Sequence, residues 1–153
     1  MTDAMIRSIS PSDAGEVLTL QRAAFVSEAQ IYGDPDQPVL TQSLQELEAE
    51  LRTAKGVVAV IDGRIVGALR AREGDGLLQI GRIAVVPDVQ GEGIGRRLLE
   101  AIENDTECDE AELFTGSLSE ANIALYESCG YREAERIDQG DGTAQVFMRK
   151  RLR

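Results

Sequence analysis

Apolar residues recur along the chain with two different periods, and the places where the period changes mark out its elements. Met5 to Ser10 reads as a short strand. Ser10-Pro11-Ser12-Asp13 then starts a helix, because the fixed φ and missing N–H of proline are tolerated in a first turn. Val17, Leu20, Ala24 and Phe25 mark one face of that helix, which continues toward Tyr32. Gly33-Asp34-Pro35-Asp36-Gln37-Pro38 breaks the helical spacing and predicts a polar loop. Ser43 and Glu46 stand at capping-box spacing, and Leu44, Leu47 and Leu51 form the buried stripe of a second helix.

The middle of the chain switches to strand spacing. Val57 to Ile61, an Asp62-Gly63 turn and Arg64 to Arg72 predict a hairpin. Gly74-Asp75-Gly76 turns the chain again, into a largely apolar run from Leu77 to Val86 that becomes β-branched toward its end and stops at Pro87. Ile94, Leu98, Leu99 and Ile102 return to helical spacing, and Glu112 to Thr115 is a further strand. Ser117 to Cys129 predicts the last helix, with Gly130 as its end cap. Tyr131 to Gln139 and Ala144 to Lys150 are two closing strands around Gly140-Asp141-Gly142. The predicted order is β-α-α-β-β-β-α-β-α-β-β, with no internal repeat, linker or low-complexity tract.

Gln90-Gly91-Glu92-Gly93-Ile94-Gly95 joins the Leu77–Val86 strand to its helix without a linker. Such a join aims the unpaired amides of the turn and of the first helical turn at one point, where an anion can sit. Glycines at 91, 93 and 95 let the backbone approach a phosphate without a Cβ in the way. The spacing narrows the ligand. A dinucleotide fingerprint would need its third glycine at Arg96, and a nucleoside-triphosphate loop would need a Gly-Lys pair that is absent here.

The pattern that fits is Gln90-x-x-Gly93-x-Gly95, which resembles the pyrophosphate loop of the GNAT superfamily of N-acetyltransferases. A second stretch strengthens the resemblance. Ser119-Glu120-Ala121-Asn122-Ile123-Ala124-Leu125-Tyr126-Glu127-Ser128-Cys129-Gly130-Tyr131 is similar to the family's Asn-x-x-Ala-x-x-Leu-Tyr-x-x-x-Gly-Phe/Tyr signature. Two positions depart: Ser119 stands where the family usually has asparagine, and Asn122 stands at the alanine. The resemblance covers the chain from about Val57 onward and carries no information on the acceptor.

It implies a GNAT fold: α/β, with a mixed, mostly antiparallel central sheet of about seven strands flanked by about four helices. It also implies acetyl-CoA as cosubstrate. Loop residues Gln90, Gly91, Gly93, Ile94, Gly95 and Arg96 would take the pyrophosphate. The backbone of Ile83, Ala84 and Val85 would pair with the pantetheine arm, and Asn122, or else Ser119, would reach the same ligand.

Composition adds mostly exclusions. At 153 residues the chain predicts one domain with a sizeable core, and its hydrophobic content of 42% suits a globular protein. No apolar run approaches the ~20 residues of a membrane helix, and Met1-Thr2-Asp3-Ala4-Met5 has neither the basic nor the apolar part of a signal peptide. The expectation is a cytoplasmic protein without a membrane partner. Cys108 and Cys129 make no disulfide framework, and without histidine they make no zinc site, so no metal is expected. The same absence of histidine removes every Ser-His or Cys-His mechanism. A net charge of −11 argues against nucleic acid and mildly favours a cationic substrate, with Arg96 and Arg97 supplying the local positive charge a coenzyme needs.

Acetyl transfer to an amine needs the coenzyme held, the amine neutral and the departing thiolate protonated. Tyr126 is the candidate acid: a phenol near pKa 10 is still protonated when a thiolate of about 8.5 forms. Relatives often carry a basic glutamate about where Gln79 stands, and glutamine cannot accept a proton at neutral pH. Glu28 is a substitute candidate, sharing a helical face with Phe25 and Tyr32 in a region that lines the acceptor cleft of relatives. A water relaying the proton to bulk would also serve. The acceptor is expected to be a small-molecule amine or a peptide amino group. The alternative reading is a non-catalytic acetyl-CoA-binding regulatory module, and relatives suggest a homodimer.

Overall fold

The computed structural model describes residues 3–153. Its strands are β1 (Met5–Ser8), β2 (Lys55–Ile61), β3 (Arg64–Gly74), β4 (Leu77–Val85), β5 (Glu110–Gly116), β6 (Arg132–Asp138) and β7 (Ala144–Arg151). The helices are α1 (Ala14–Tyr32), α2 (Pro38–Thr41), α3 (Leu44–Leu51), α4 (Ile94–Asn104) and α5 (Glu120–Ser128). All seven strands lie in one sheet of order β1-β2-β3-β4-β5-β7-β6. Only β4 and β5 run parallel; every other neighbouring pair is antiparallel.

Local chemistry sets the ends of these elements. The α1 helix follows a single tight turn over Pro11–Asp13 and stops at Gly33, whose φ of 64° is the left-handed cap that glycine adopts freely. The capping box of α3 forms as its spacing predicts: the Glu46 amide donates to Ser43 Oγ at 3.1 Å, and the Ser43 amide donates to Glu46 Oε1 at 2.8 Å. The short helix α2 lies just past the predicted polar loop, and its single turn is below the length at which periodicity can be read. It brings the helices to five where the sequence implied about four.

Two helical layers cover the sheet. A Cβ on Gly67 of β3 would stand 2.9 Å from Ile94 Cγ2, so that residue faces α4. Arg70, an odd number of residues further along, faces the other way. There it ion-pairs with Glu50 of α3 and donates to Gln21 Oε1 of α1 at 3.1 Å. Leu47, Val58, Leu69, Leu78, Leu98, Leu99 and Ile102 are fully buried between the layers. Each such side chain contributes about 1.5–3 kcal/mol through removal from water.

One irregularity positions the site. Across β3 and β4 the pairing passes from Arg70↔Gly81 to Ala68↔Ala84, so Leu69 alone opposes Arg82 and Ile83. Arg82 takes up the extra residue with a φ of 55°, in the left-handed region. A bulge of this kind bends its strand and increases the twist. The ladder between β4 and β5 accordingly covers only Leu77↔Glu110 to Gln79↔Glu112, although the strands continue to Val85 and Gly116. Beyond that point the sheet is split.

Candidate functional site

Two clefts open at the split. One, of about 580 Å³, is lined by Ile83, Ala84, Val85, Gln90, Gly91, Gly93, Ile94, Gly95, Arg96, Asn122 and Tyr126, among others. Every residue assigned to the coenzyme from the sequence therefore borders a single space. The other, of about 550 Å³, lies between α1, the segment after it and the β6–β7 hairpin, and it includes Tyr32. The clefts share Phe25, Glu28, Ile83, Asn122 and Tyr126, which form the passage from one to the other.

The first cleft carries the geometry of an anion site. Gly91 and Gly93 have φ of 84° and 85°, values at which a side chain is strained, and a Cβ on either would project into open space. Gly93 is the N-cap of α4, so the amides of Ile94, Gly95 and Arg96 begin the helix without intrahelical acceptors. Gly95 has a further role: a Cβ there would meet Leu125 Cδ2 at 3.2 Å, so its small size lets α4 lie close to α5. Gln90 folds back, its Nε2 donating to the Val85 carbonyl at 3.0 Å. The Val86 amide donates to Val66 on the β3 side. By alternation, the backbone groups of Val85 and Ile83 face the split. Arg96 extends to α5, with Nη2 donating to Ser128 Oγ at 2.8 Å.

At the passage, α1 and α5 are joined by a polar cluster. Ser119 Oγ donates to Glu28 Oε2 at 2.6 Å, and Asn122 Nδ2 donates to Glu28 Oε1 at 3.0 Å. Tyr32 Oη lies 2.8 Å from Ser119 Oγ and accepts from the Leu118 amide at 3.0 Å. Gly116 makes room for this, since a Cβ there would fall 2.0 Å from the Tyr32 hydroxyl. Both departures from the family signature, Ser119 and Asn122, thus converge on the one carboxylate that the sequence marked as a candidate base. Gln79 lies apart, lining neither cleft.

Tyr126 is 6% exposed and packs edge-on to Tyr131, with ring centroids 6.5 Å apart. Burial pushes its phenol well above the ordinary value, and the charge of Glu28 adds to the effect. Its hydroxyl has no hydrogen-bond partner among the described residues, where no fully buried side-chain oxygen or nitrogen lacks one. The hydroxyl therefore opens onto the cleft space. Gly130, at φ 98°, ends α5, and Tyr131 pins that end to α4 by donating to Glu103 Oε2 at 2.7 Å.

Sequence reasoning did not single out Asp34, Arg82 and Asp141, which line the second cleft. The two aspartates sit in segments whose glycines and prolines read as turns, and Arg82 sits in a strand pattern that hides its bulge.

A mixed sheet split between two parallel strands, with a glycine turn and a helix N-terminus at the end of one of them, defines the class. The chain belongs to the GNAT acetyltransferase family: the family model described as "Acetyltransferase (GNAT) domain" matches residues 27–152. Acetyl transfer is the chemistry of that family. A curated relative, the UPF0157 protein YqkA of Bacillus subtilis, is 27% identical over 130 residues. The match takes in 84% of this chain and 37% of that protein, so the chain spans little more than a third of the relative's length. Among solved structures, the ribosomal-protein-S18-alanine N-acetyltransferase of Escherichia coli superposes with a TM-score of 0.79 at 21% identity, covering 97% of this chain and 94% of that one. A phosphinothricin acetyltransferase of Sinorhizobium meliloti, solved in complex with AcCoA, gives 0.79 at 20% identity, over 99% and 89% of the two chains. These likenesses show a shared fold.

Proposed function

We propose that the protein is an N-acetyltransferase that moves the acetyl group of acetyl-CoA onto a primary amine by direct attack, with Tyr126 as general acid. The observation that carries this reading is Tyr126, a largely buried residue on the wall shared by the two clefts, whose hydroxyl has no partner among the described residues. Acetyl-CoA occupies the first cleft, its pyrophosphate on the amides from Gly91 to Arg96 and its pantetheine along Ile83 to Val85. The acceptor, a small-molecule amine or a peptide amino group, enters by the second, past Phe25 and Tyr32.

In the transfer, the lone pair of the neutral amine attacks the thioester carbonyl, the C–N bond forms and the C–S bond breaks. The nitrogen gives up one proton, to Glu28 or through water to bulk solvent. The thiolate takes one from Tyr126, which is reprotonated from solvent, so that amide and free coenzyme A leave. Charge-assisted hydrogen bonds of the kind offered to the pyrophosphate contribute about 1.5–3 kcal/mol each.

Thiol release from acetyl-CoA against a panel of primary amines tests the proposal. Release that depends on the amine supports it. One observation favours the second reading, a non-catalytic acetyl-CoA binder: Gln79 supplies no carboxylate on β4 and lies outside both clefts. Tight acetyl-CoA binding with no amine-dependent release would favour that binder.

A further inference from the structure

The second cleft carries more negative charge than its walls neutralise. Its lining includes three carboxylates, Glu28, Asp34 and Asp141, and one cation, Arg82. None of the three forms an ion pair among the described residues. Arg82 forms no ion pair with any of them, and one cation against three carboxylates leaves the lining net negative.

The carboxylates are placed at different depths. Glu28 is half-buried at the passage, with one hydroxyl and one amide bonded to it and no cation. Asp34 and Asp141 are exposed, on the segment after α1 and on the β6–β7 hairpin. Each spends one oxygen on its own turn. Asp34 Oδ1 accepts from the Asp36 amide at 3.0 Å, and Asp141 Oδ1 accepts from the Thr143 amide at 2.9 Å and from Thr143 Oγ1 at 2.6 Å. Their second oxygens have no partner among the described residues. The rings of Phe25, Tyr32 and Phe114 line the same cleft, the last 53% exposed. Independently of the carboxylates, Tyr126, a residue only 6% exposed whose hydroxyl has no partner among the described residues, lines the same space and marks it as a ligand site.

We infer that the acceptor is a small diamine: a primary amine that reacts at Glu28 and Tyr126, joined by an aliphatic linker to a second ammonium held by Asp34 and Asp141. The inference rests on the proposed acetyl transfer and names its substrate class. An aliphatic linker suits the aromatic stretch, and a cleft of about 550 Å³ matches a small molecule rather than a folded partner. A carboxylate-bearing acceptor would meet three like charges.

The test compares kcat/KM with acetyl-CoA for putrescine, n-butylamine, γ-aminobutyrate and a lysine-containing peptide. Putrescine should lead n-butylamine by roughly tenfold or more, with γ-aminobutyrate poorest. In the double variant Asp34→Asn, Asp141→Asn each side chain keeps an oxygen for its turn but loses its charge. The preference for putrescine over n-butylamine should then fall roughly three- to thirtyfold, through KM, as expected for two exposed charge pairs. Equal or better use of γ-aminobutyrate or of the peptide overturns the inference, as does a preference that survives in the double variant. In those cases acetyl transfer itself still stands. If acetyl-CoA binds by calorimetry and no amine is acetylated, the transferase reading fails and the diamine fails with it.

Discussion

At Tyr126 the placement of one oxygen separates a packing residue from a catalytic one. Tyr126→Phe keeps the ring and its edge contact with Tyr131 while removing the proton. Turnover should fall roughly ten- to a thousandfold, with acetyl-CoA affinity changed little, because general acids typically contribute about 10²–10⁴ and water replaces part of that. Wild-type turnover under conditions where chemistry limits the rate would assign Tyr126 to packing. Burial raises the phenol above its ordinary value near 10. The rate profile should therefore show no loss attributable to this residue up to about pH 10. Glu28→Gln keeps the size of the side chain and removes its charge, and kcat/KM for the amine should drop by roughly a hundredfold if the carboxylate takes the proton. A drop confined to KM would instead make Glu28 a binder of the ammonium form.

The glycine turn and α4 act as one element. Gly93→Val places a branched side chain at a φ of 85° and projects it into the first cleft. We expect acetyl-CoA affinity to weaken at least tenfold, about 1.4 kcal/mol, and stability to fall by about 1–2 kcal/mol from the left-handed backbone. Calorimetry on the folded variant reads the first quantity and urea unfolding the second; unchanged affinity would move the ligand site elsewhere. This turn was legible in the sequence because local rules govern it: a strand, glycines at fixed offsets and a periodic helix. So were the capping box at Ser43 and the hairpin at Asp62-Gly63. The bulge at Arg82 was not, since nothing about an arginine inside an apolar strand announces a left-handed φ. The Glu28–Ser119–Asn122 cluster was legible only in its parts. Its members lie about ninety residues apart, and only the tertiary fold shows that two α5 side chains converge on an α1 carboxylate.

Charge governs the molecule as a whole, with 27 acidic residues against 16 basic ones. Of the six carboxylates held below their ordinary range among the described residues, two are at least partly buried. Asp13 is lowered chiefly by its hydrogen bonds from Arg7, at 2.9 Å to each oxygen. Burial alone would raise Glu50, but the Gln42 amide and the Arg70 guanidinium outweigh it. A carboxylate with a depressed folded pKa stabilises above its unfolded value, about 3.9 for Asp and 4.3 for Glu, and that contribution fades as pH falls through the folded value. The stability gap between wild type and Asp13→Asn should thus be full at about pH 6 and shrink below about pH 4. Urea midpoints measured for both proteins across that range check the sign; a gap that widened in acid would contradict it.

The short ladder between β4 and β5 leaves the sheet with a seam of three residue pairs. On one side stands the block β1 to β4 with its helical layers, and on the other β5, β7 and β6, the last of them exposed along its whole length. A cosubstrate seated in the gap is mortar for that seam. At a hundredfold excess over its Kd it would add about 2.7 kcal/mol, and most of the gain should fall on the weaker block. Amide exchange should then slow most at Leu113 to Thr115, where β5 has lost its neighbour, and less within β2 and β3. Durability in such a protein is then a property of its solution as well as its chain: without acetyl-CoA it should be cut faster by a protease than with it.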